Sequence, residues 1–120
     1  MKHVLIVDDC PDIRELVRLA LGGKYLVSEA ADARSAIEVL YRHAPDLIVL
    51  DVMLPGAMSG LHLLTMVRVD PNLSEIPVVI VTACRLPEER QSALERGADA
   101  YYTKPFSPLD LADYINDRLT

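Results

Sequence analysis

Three short runs of the chain are apolar without interruption. They are 4–7 (VLIV), 47–50 (LIVL) and 78–81 (VVIV), and two of them are rich in β-branched residues. Strands that are buried on both faces of a parallel sheet have this unbroken pattern, whereas half-exposed strands alternate between apolar and polar residues. Weaker strand candidates are 25–30 and 100–103. The hydrophobic pattern therefore predicts five strands, and the unbroken runs among them should be buried on both faces.

Helical patterns with an apolar stripe fall between the predicted strands. Pro11 suits the first turn of a helix, and the glycines at 22 and 23 would end that helix. Asp32 has a side chain that can cap the second helix. Later helices are predicted at about 60–69, at about 87–96 and from Pro108 onward. The side chains expected to face the core are Ile13, Leu16, Val17, Ala20, Ala36, Ile37, Leu40, Leu109, Leu111, Ala112, Ile115 and Leu119.

The order of these segments is strand then helix, repeated along the whole chain. Such alternation predicts an α/β fold, in which a parallel sheet carries helices on both faces. The number of units fits a flavodoxin-like, doubly wound (βα)5 domain with a five-stranded sheet of order 2-1-3-4-5. A length of 120 residues without a long linker or repeat predicts one domain over 1–120.

Composition narrows the function classes. Hydrophobic residues make up 51% of the chain and charged residues 25%, which is typical of a globular domain. The formal net charge of −6 argues against direct binding of nucleic acid, because a phosphate backbone needs a basic face. No apolar run approaches the roughly 20 residues of a membrane span. We therefore expect a cytoplasmic location, no membrane association and reduced thiols at Cys10 and Cys84.

Polar residues follow the strands at their carboxyl ends. Asp8 and Asp9 follow the first strand, Asp51 follows the third, Thr82 ends the fourth, and Lys104 follows the fifth. Ligands bind at this edge of an open α/β sheet. Clustered carboxylates repel one another, and one ammonium neutralises only part of their charge. A hard divalent cation such as Mg²⁺, which prefers oxygen ligands, could supply the rest.

Asp51 stands alone at the end of its strand, and the loop that follows is expected to leave it exposed. A carboxylate near a metal and an ammonium can be either a metal ligand or a nucleophile. As a nucleophile it could accept a phosphoryl group. Lys104 and the metal would then neutralise the phosphoryl oxygens, and Thr82 could donate a hydrogen bond to one of them.

The chain resembles the receiver domain of two-component response regulators over essentially its whole length. The motifs that carry this resemblance are Asp8-Asp9, Asp51 with Pro55 and Gly60 downstream, Thr82-Ala83, and Lys104-Pro105-Phe106. The resemblance implies a signalling protein rather than a conventional enzyme, although its site would assist its own phosphorylation and dephosphorylation.

The resemblance also implies a role for each residue at the acidic edge. Asp51 would be the phosphoacceptor, which takes its phosphoryl group from a phosphohistidine of a sensor histidine kinase or phosphotransfer protein. Asp9 would ligate Mg²⁺ directly, and Asp8 would do so directly or through water. Asp51 and the backbone carbonyl of Met53 would complete the protein ligands.

Four further positions match the family's switch. Lys104 would bind the phosphoryl group, and Thr82 would move toward it. Tyr101 would swing into the space that Thr82 vacates. The peptide bond before Pro105 is expected to be cis. Phosphorylation would thereby alter the face formed by the fourth helix, the fifth strand and the fifth helix, and that face would control an effector protein, an output domain or a phosphorylation-linked dimer.

Two departures from the family pattern affect the expectations. One extra residue lies between Pro55 and Gly60, which could change kinase docking or loop mobility. Met53 and Cys84 occupy the positions that flank the attacking water in this family. Neither side chain holds a water as a carboxylate or amide would, so we expect a long-lived phosphoaspartate.

Other readings remain open at this point. A haloacid-dehalogenase-type phosphatase or phosphotransferase would use Asp51 as nucleophile but needs a second Asp where Met53 stands. A flavodoxin-like cofactor binder would need a glycine-rich loop in place of the residues after the first strand. The end at Thr120, directly after the predicted fifth helix, is expected either for a stand-alone receiver or for a truncated piece of a longer regulator. The histidines at 3, 43 and 62 lack metal-ligand spacing and are expected at the surface or at helix ends.

Overall fold

The computed structural model describes residues 1–120 and contains one five-stranded parallel sheet. The strand order is β2-β1-β3-β4-β5, which confirms the predicted doubly wound topology. Strands and helices alternate along the chain as β1 (His3–Val7), α1 (Pro11–Leu21), β2 (Leu26–Ala30), α2 (Ala33–Arg42), β3 (Leu47–Leu50), α3 (Gly60–Val69), β4 (Val78–Thr82), α4 (Pro87–Glu95), β5 (Ala100–Thr103) and α5 (Pro108–Leu119).

Helices cover the sheet on both faces. Every residue of β1, β3 and β4 is buried, as their unbroken apolar runs predict. One core lies under α2, α3 and α4 and includes Leu40, Leu63 and Ala93. The other lies under α1 and α5 and includes Val17 and Ile115. No helix in the structure has the length and apolar character needed to cross a bilayer.

Two side chains that the helical stripes placed in the core are exposed instead. Leu16 is 40% exposed on α1, and Leu109 is 73% exposed in the first turn of α5. In α5, the helix turns Leu111 and Ile115 toward the sheet, so that Leu109 points away from it. The buried stripe of α5 therefore begins at Leu111 and not at Leu109.

The expectation that all three histidines lie at the surface or at helix ends is wrong for His3. This side chain is buried at the start of β1, and its ring stacks on that of His43 with the ring centres 4.5 Å apart. The Nε2 atom of His3 shares a hydrogen bond of 2.7 Å with the hydroxyl of Ser28. His43, which follows the last residue of α2, and Ser28 of β2 cover this side chain at the start of β1.

Candidate functional site

Parallel pairing brings the polar strand ends to one edge of the sheet. The backbone N–H of Asp51 donates to the carbonyl of Val7 at 2.9 Å, which aligns the ends of β3 and β1. The N–H of Lys104 donates to the carbonyl of Thr82 at 2.8 Å, which aligns the ends of β5 and β4. The side chains that follow these strands therefore meet at the carboxyl edge.

Lys104 joins two of the carboxylates. Its Nζ atom donates to Asp8 Oδ2 at 2.7 Å and to Asp51 Oδ2 at 3.0 Å. Asp8 and Asp51 are buried, whereas Asp9 is exposed, and ligand atoms of the three carboxylates lie within 4.8 Å of one another. The expectation that the loop after β3 leaves Asp51 exposed is wrong, because its carboxylate turns inward to Lys104. One ammonium faces three acidic groups, so the cluster keeps an excess of negative charge that suits a cation.

Backbone donors orient the two buried carboxylates. The N–H of Cys10 donates to Asp8 Oδ1 at 2.9 Å, and the N–H of Met53 donates to Asp51 Oδ1 at 3.0 Å. Each carboxylate is thus held at one oxygen by the backbone two residues later and at the other by Lys104. The orientation of Asp51 is set before any ligand arrives.

The local electrostatics follow from burial and from this ion-pair network. Burial raises the pKa of Asp8, and the bonds from Lys104 and the Cys10 N–H only partly oppose that effect. Burial also disfavours the charged form of Lys104, but its bonds to Asp8 and Asp51 together outweigh this and raise its pKa. Lys104 is therefore a firmly protonated cation at neutral pH.

The loop after β4 connects Thr82 with Tyr101. The N–H of Cys84 donates to the buried Thr82 Oγ1 at 3.3 Å, and the carbonyl of Cys84 accepts from the Tyr101 hydroxyl at 3.1 Å. The neighbouring Tyr102 packs on the other face of the sheet, against Tyr114. Cys84 is thus bonded to both residues that the sequence singled out for a switch.

The loop after Asp51 has fixed ends. The N–H of Gly60 donates to the carbonyl of Val52 at 2.9 Å. The extra residue between Pro55 and Gly60 therefore lies in a loop whose two ends are joined by a backbone hydrogen bond. A Cβ atom at Gly60 would lie 2.1 Å from the carbonyl oxygen of Asp51, so only glycine fits there. At the other polar strand end, the Lys104–Pro105 peptide bond is cis.

Comparison with known proteins identifies the family. A model of the response regulator receiver domain matches residues 4–116. The chain belongs to the response regulator receiver domain family. It is 43% identical over 115 residues to the phosphate regulon transcriptional regulatory protein PhoB of Klebsiella pneumoniae, covering 95% of this chain and 50% of that protein. This receiver therefore spans about half the length of that relative.

Solved structures agree with the assignment. A putative response regulator from Chloroflexus aurantiacus has a TM-score of 0.90 and 34% identity, and the match covers 98% of this receiver and 97% of that chain. The chemotaxis protein CheY4 of Vibrio cholerae has a TM-score of 0.89 and 32% identity over 99% of both chains. The function is that of a two-component receiver, and the alternative of a haloacid-dehalogenase-type phosphatase has no support.

The structure of the receiver also brings forward two residues that the sequence motifs did not. Glu89, in the first turn of α4, lines a cavity of about 510 Å³ together with Asp9 and Met53. Arg85 donates from Nη2 to the carbonyl of Lys104 at 2.8 Å. Their charge alone did not distinguish them in the sequence, because the packing of the loop after β4 and of the first turn of α4 decides which charged residues there turn toward the site.

Proposed function

We propose that Asp51 of this receiver accepts a phosphoryl group from the phosphohistidine of a sensor histidine kinase or phosphotransfer protein. The observation that carries the proposal is the setting of Asp51, whose two oxygens are bonded separately to Lys104 and to the Met53 N–H. A carboxylate held in this way is preorganised for attack on phosphorus.

In this reaction an oxygen of Asp51 attacks phosphorus, the P–N bond to the donor breaks, and the imidazole leaves. Negative charge on the phosphoryl oxygens must be balanced as the bond forms. Lys104 lies between Asp8 and Asp51, so its ammonium can donate to a phosphoryl oxygen with little movement. The hydroxyl of Thr82 is a second donor from the adjacent strand.

The donor set fits a magnesium ion. Asp8, Asp9, Asp51 and the backbone carbonyl of Met53 would hold Mg²⁺, since all four offer oxygen atoms. When bound, the ion would supply positive charge opposite the transferred phosphoryl group. The excess of carboxylates over Lys104 at this edge is what favours a divalent cation.

The bonds of Cys84 suggest how the signal leaves the site. If Thr82 turns toward the phosphoryl group, Oγ1 no longer accepts from the Cys84 N–H, and the loop that also holds the Tyr101 hydroxyl is released. Tyr101 lies on β5 and packs on the face of the sheet that carries α4. The face formed by α4, β5 and α5 would then change and control an effector protein, an output domain or a dimer.

We also propose that residues 1–120 act as one receiver unit in the cytoplasm. The signalling role requires no turnover of an external substrate, so the unit would work as a phosphoacceptor and not as a conventional enzyme. Its acidic surface, with a formal net charge of −6, argues against nucleic acid as a direct partner of this unit.

Intact mass tests the proposal. The protein is incubated with acetyl phosphate, with and without Mg²⁺, beside Asp51→Asn and a matched control, Asp113→Asn, which removes an exposed carboxylate from α5. We expect a Mg²⁺-dependent gain of one phosphoryl group in the unmodified chain and in Asp113→Asn only. Labelling of Asp51→Asn to the same extent would show that another residue is the acceptor.

A further inference from the structure

A cavity of about 510 Å³ opens beside Met53, two residues after the acceptor. Its lining includes Asp9 and Met53, and the Met53 N–H is bonded to Asp51 Oδ1. The cavity therefore reaches the backbone that holds the acceptor, on the side of the loop after β3, and the buried Asp51 side chain itself does not line it. A water molecule that hydrolyses a phosphoaspartate could come from there.

Glu89 brings a carboxylate into this cavity from the opposite side. It is half-buried in the first turn of α4, and its Oε2 atom accepts from the Cys84 thiol at 3.4 Å. It forms no ion pair, and no protein donor is bonded to Oε1. One oxygen of Glu89 is thus fixed by Cys84, and the other is free to accept from water.

The other side chains around the cavity are poorer partners for a water. Met53 is 60% exposed and ends in a thioether, which is a weak acceptor. The hydroxyl of Ser59 already accepts from the N–H of His62 at 3.3 Å as a helix cap. Asp9 belongs to the acidic cluster proposed for the metal. Glu89 remains as the acceptor that is charged, partly fixed and outside that cluster.

We propose that Glu89 is the general base for the water that removes the phosphoryl group from Asp51; this inference rests on the function proposed above. The water oxygen attacks phosphorus, and the bond between phosphorus and the Asp51 oxygen breaks. Its electron pair returns to the Asp51 carboxylate. A water proton passes to Glu89 and then to solvent, and inorganic phosphate leaves. Slow hydrolysis remains the expectation for the unmodified chain because of Met53 and Cys84, and loss of the Glu89 carboxylate should slow it further.

The test measures how fast label is lost. The unmodified chain, Glu89→Gln and the matched control Glu88→Gln are labelled with acetyl phosphate and Mg²⁺ and freed of donor, and the phosphorylated fraction is followed by intact mass. Glu88 is exposed in the same helical turn and does not line the cavity. We expect the lifetime to increase about tenfold or more in Glu89→Gln, since a general base contributes about 10²–10⁴-fold, and to stay unchanged in Glu88→Gln.

A second nucleophile distinguishes loss of base catalysis by Glu89 from reduced access of solvent to the phosphorylated Asp51. Hydroxylamine cleaves acyl phosphates without help from a base, so its rate should be the same in Glu89→Gln and in the unmodified chain. Equal lifetimes in water for these two proteins would overturn the inference, as would an equal slowing toward both nucleophiles. Those outcomes leave labelling intact, whereas absence of labelling in the unmodified chain would overturn the proposed function and this inference with it.

Discussion

The two ends of β1 both bury polar side chains, and they do so in different ways. At the amino end, His3 is covered by Ser28 and His43, and no charged group besides Asp46 is bonded to it. At the carboxyl end, Asp8 follows the strand and is joined through Lys104 to Asp51. The first arrangement is closed and close to neutral, whereas the second has more acid than base and opens to solvent.

This difference shows what marks a functional site in the fold. Burial of a polar group is common to both ends and marks neither. Of the two ends of β1, only the carboxyl end has carboxylates whose charge is not fully compensated and which lie at an edge that a ligand can reach. At the amino end, Nδ1 of His3 is buried without a hydrogen-bond partner, but no neighbouring cavity opens onto it.

The largest effect should come from removing Lys104. In Lys104→Met the carboxylates of Asp8 and Asp51 lose their shared cation and face each other in a partly desolvated site. Breaking a buried ion pair by removing one partner costs about 3–5 kcal/mol, and we expect a loss near the lower end because the side chain keeps contact with solvent. Urea unfolding at neutral pH without Mg²⁺ measures the free energy of unfolding.

Lys24→Met provides the control, because Lys24 is exposed and forms no ion pair. It should change the free energy of unfolding by no more than about 0.5 kcal/mol. If Lys104→Met is as stable as this control, repulsion between the Asp8 and Asp51 carboxylates does not destabilise the fold. The proposed contrast between the two ends of β1 would then be wrong. Labelling by acetyl phosphate should also be lost in Lys104→Met and kept in the control.

A smaller effect is expected from Gly60→Ala. A Cβ atom would lie 2.1 Å from the Asp51 carbonyl oxygen, so the backbone that carries the acceptor must shift. Overpacking of this kind typically costs about 1–3 kcal/mol. Thermal unfolding should show the loss, and labelling should slow because Asp51 moves relative to Lys104. Ala57→Ser, in the exposed part of the same loop, should leave both unchanged.

Much of this molecule could be predicted from the order of its residues. Unbroken apolar runs predicted the central strands because burial on both faces leaves no alternation, and alternation of strands with helices predicted the topology. The position of Asp51 and Lys104 at one edge followed from that topology. Their chemical roles stay predictions, since they rest on the resemblance and on the geometry of the acidic cluster.

Features that depend on packing could not be predicted in the same way. Leu109 lies outside the core because Leu111 and Ile115 occupy the side of α5 that faces the sheet. The periodicity of apolar residues does not show at which residue a buried stripe begins. His3 is buried because other parts of the chain cover the start of its strand. Glu88 and Glu89 are equivalent by charge and by helical turn, and only the loop after β4 turns Glu89 toward the cavity.

The two ends of β1 should also differ in how their contributions to stability depend on pH, and this is the smallest of the expected effects. Burial lowers the pKa of His3 below its ordinary value of 6.5, and the nearby His43 lowers it further, against smaller opposing effects of the Ala44 carbonyl and Asp46. A lowered pKa in the folded state means that the unfolded chain binds the proton more readily. The contribution of His3 to stability is therefore complete above pH 6.5 and is lost as the pH falls below that value.

The carboxyl end should behave in the opposite sense. Burial raises the pKa of Asp8, so protonation of that group favours the folded state, and its contribution declines as the pH rises through the folded pKa.

Replacing His3 by Phe keeps an aromatic ring against His43 and removes the titration of the side chain at position 3. The free energy of unfolding of His3→Phe, measured by urea at several pH values below 6.5, should fall less steeply than that of the unmodified chain. His62→Gln, which changes an exposed helix-cap residue, should keep the original slope, and equal slopes in all three proteins would show that the His3 site does not resist protonation.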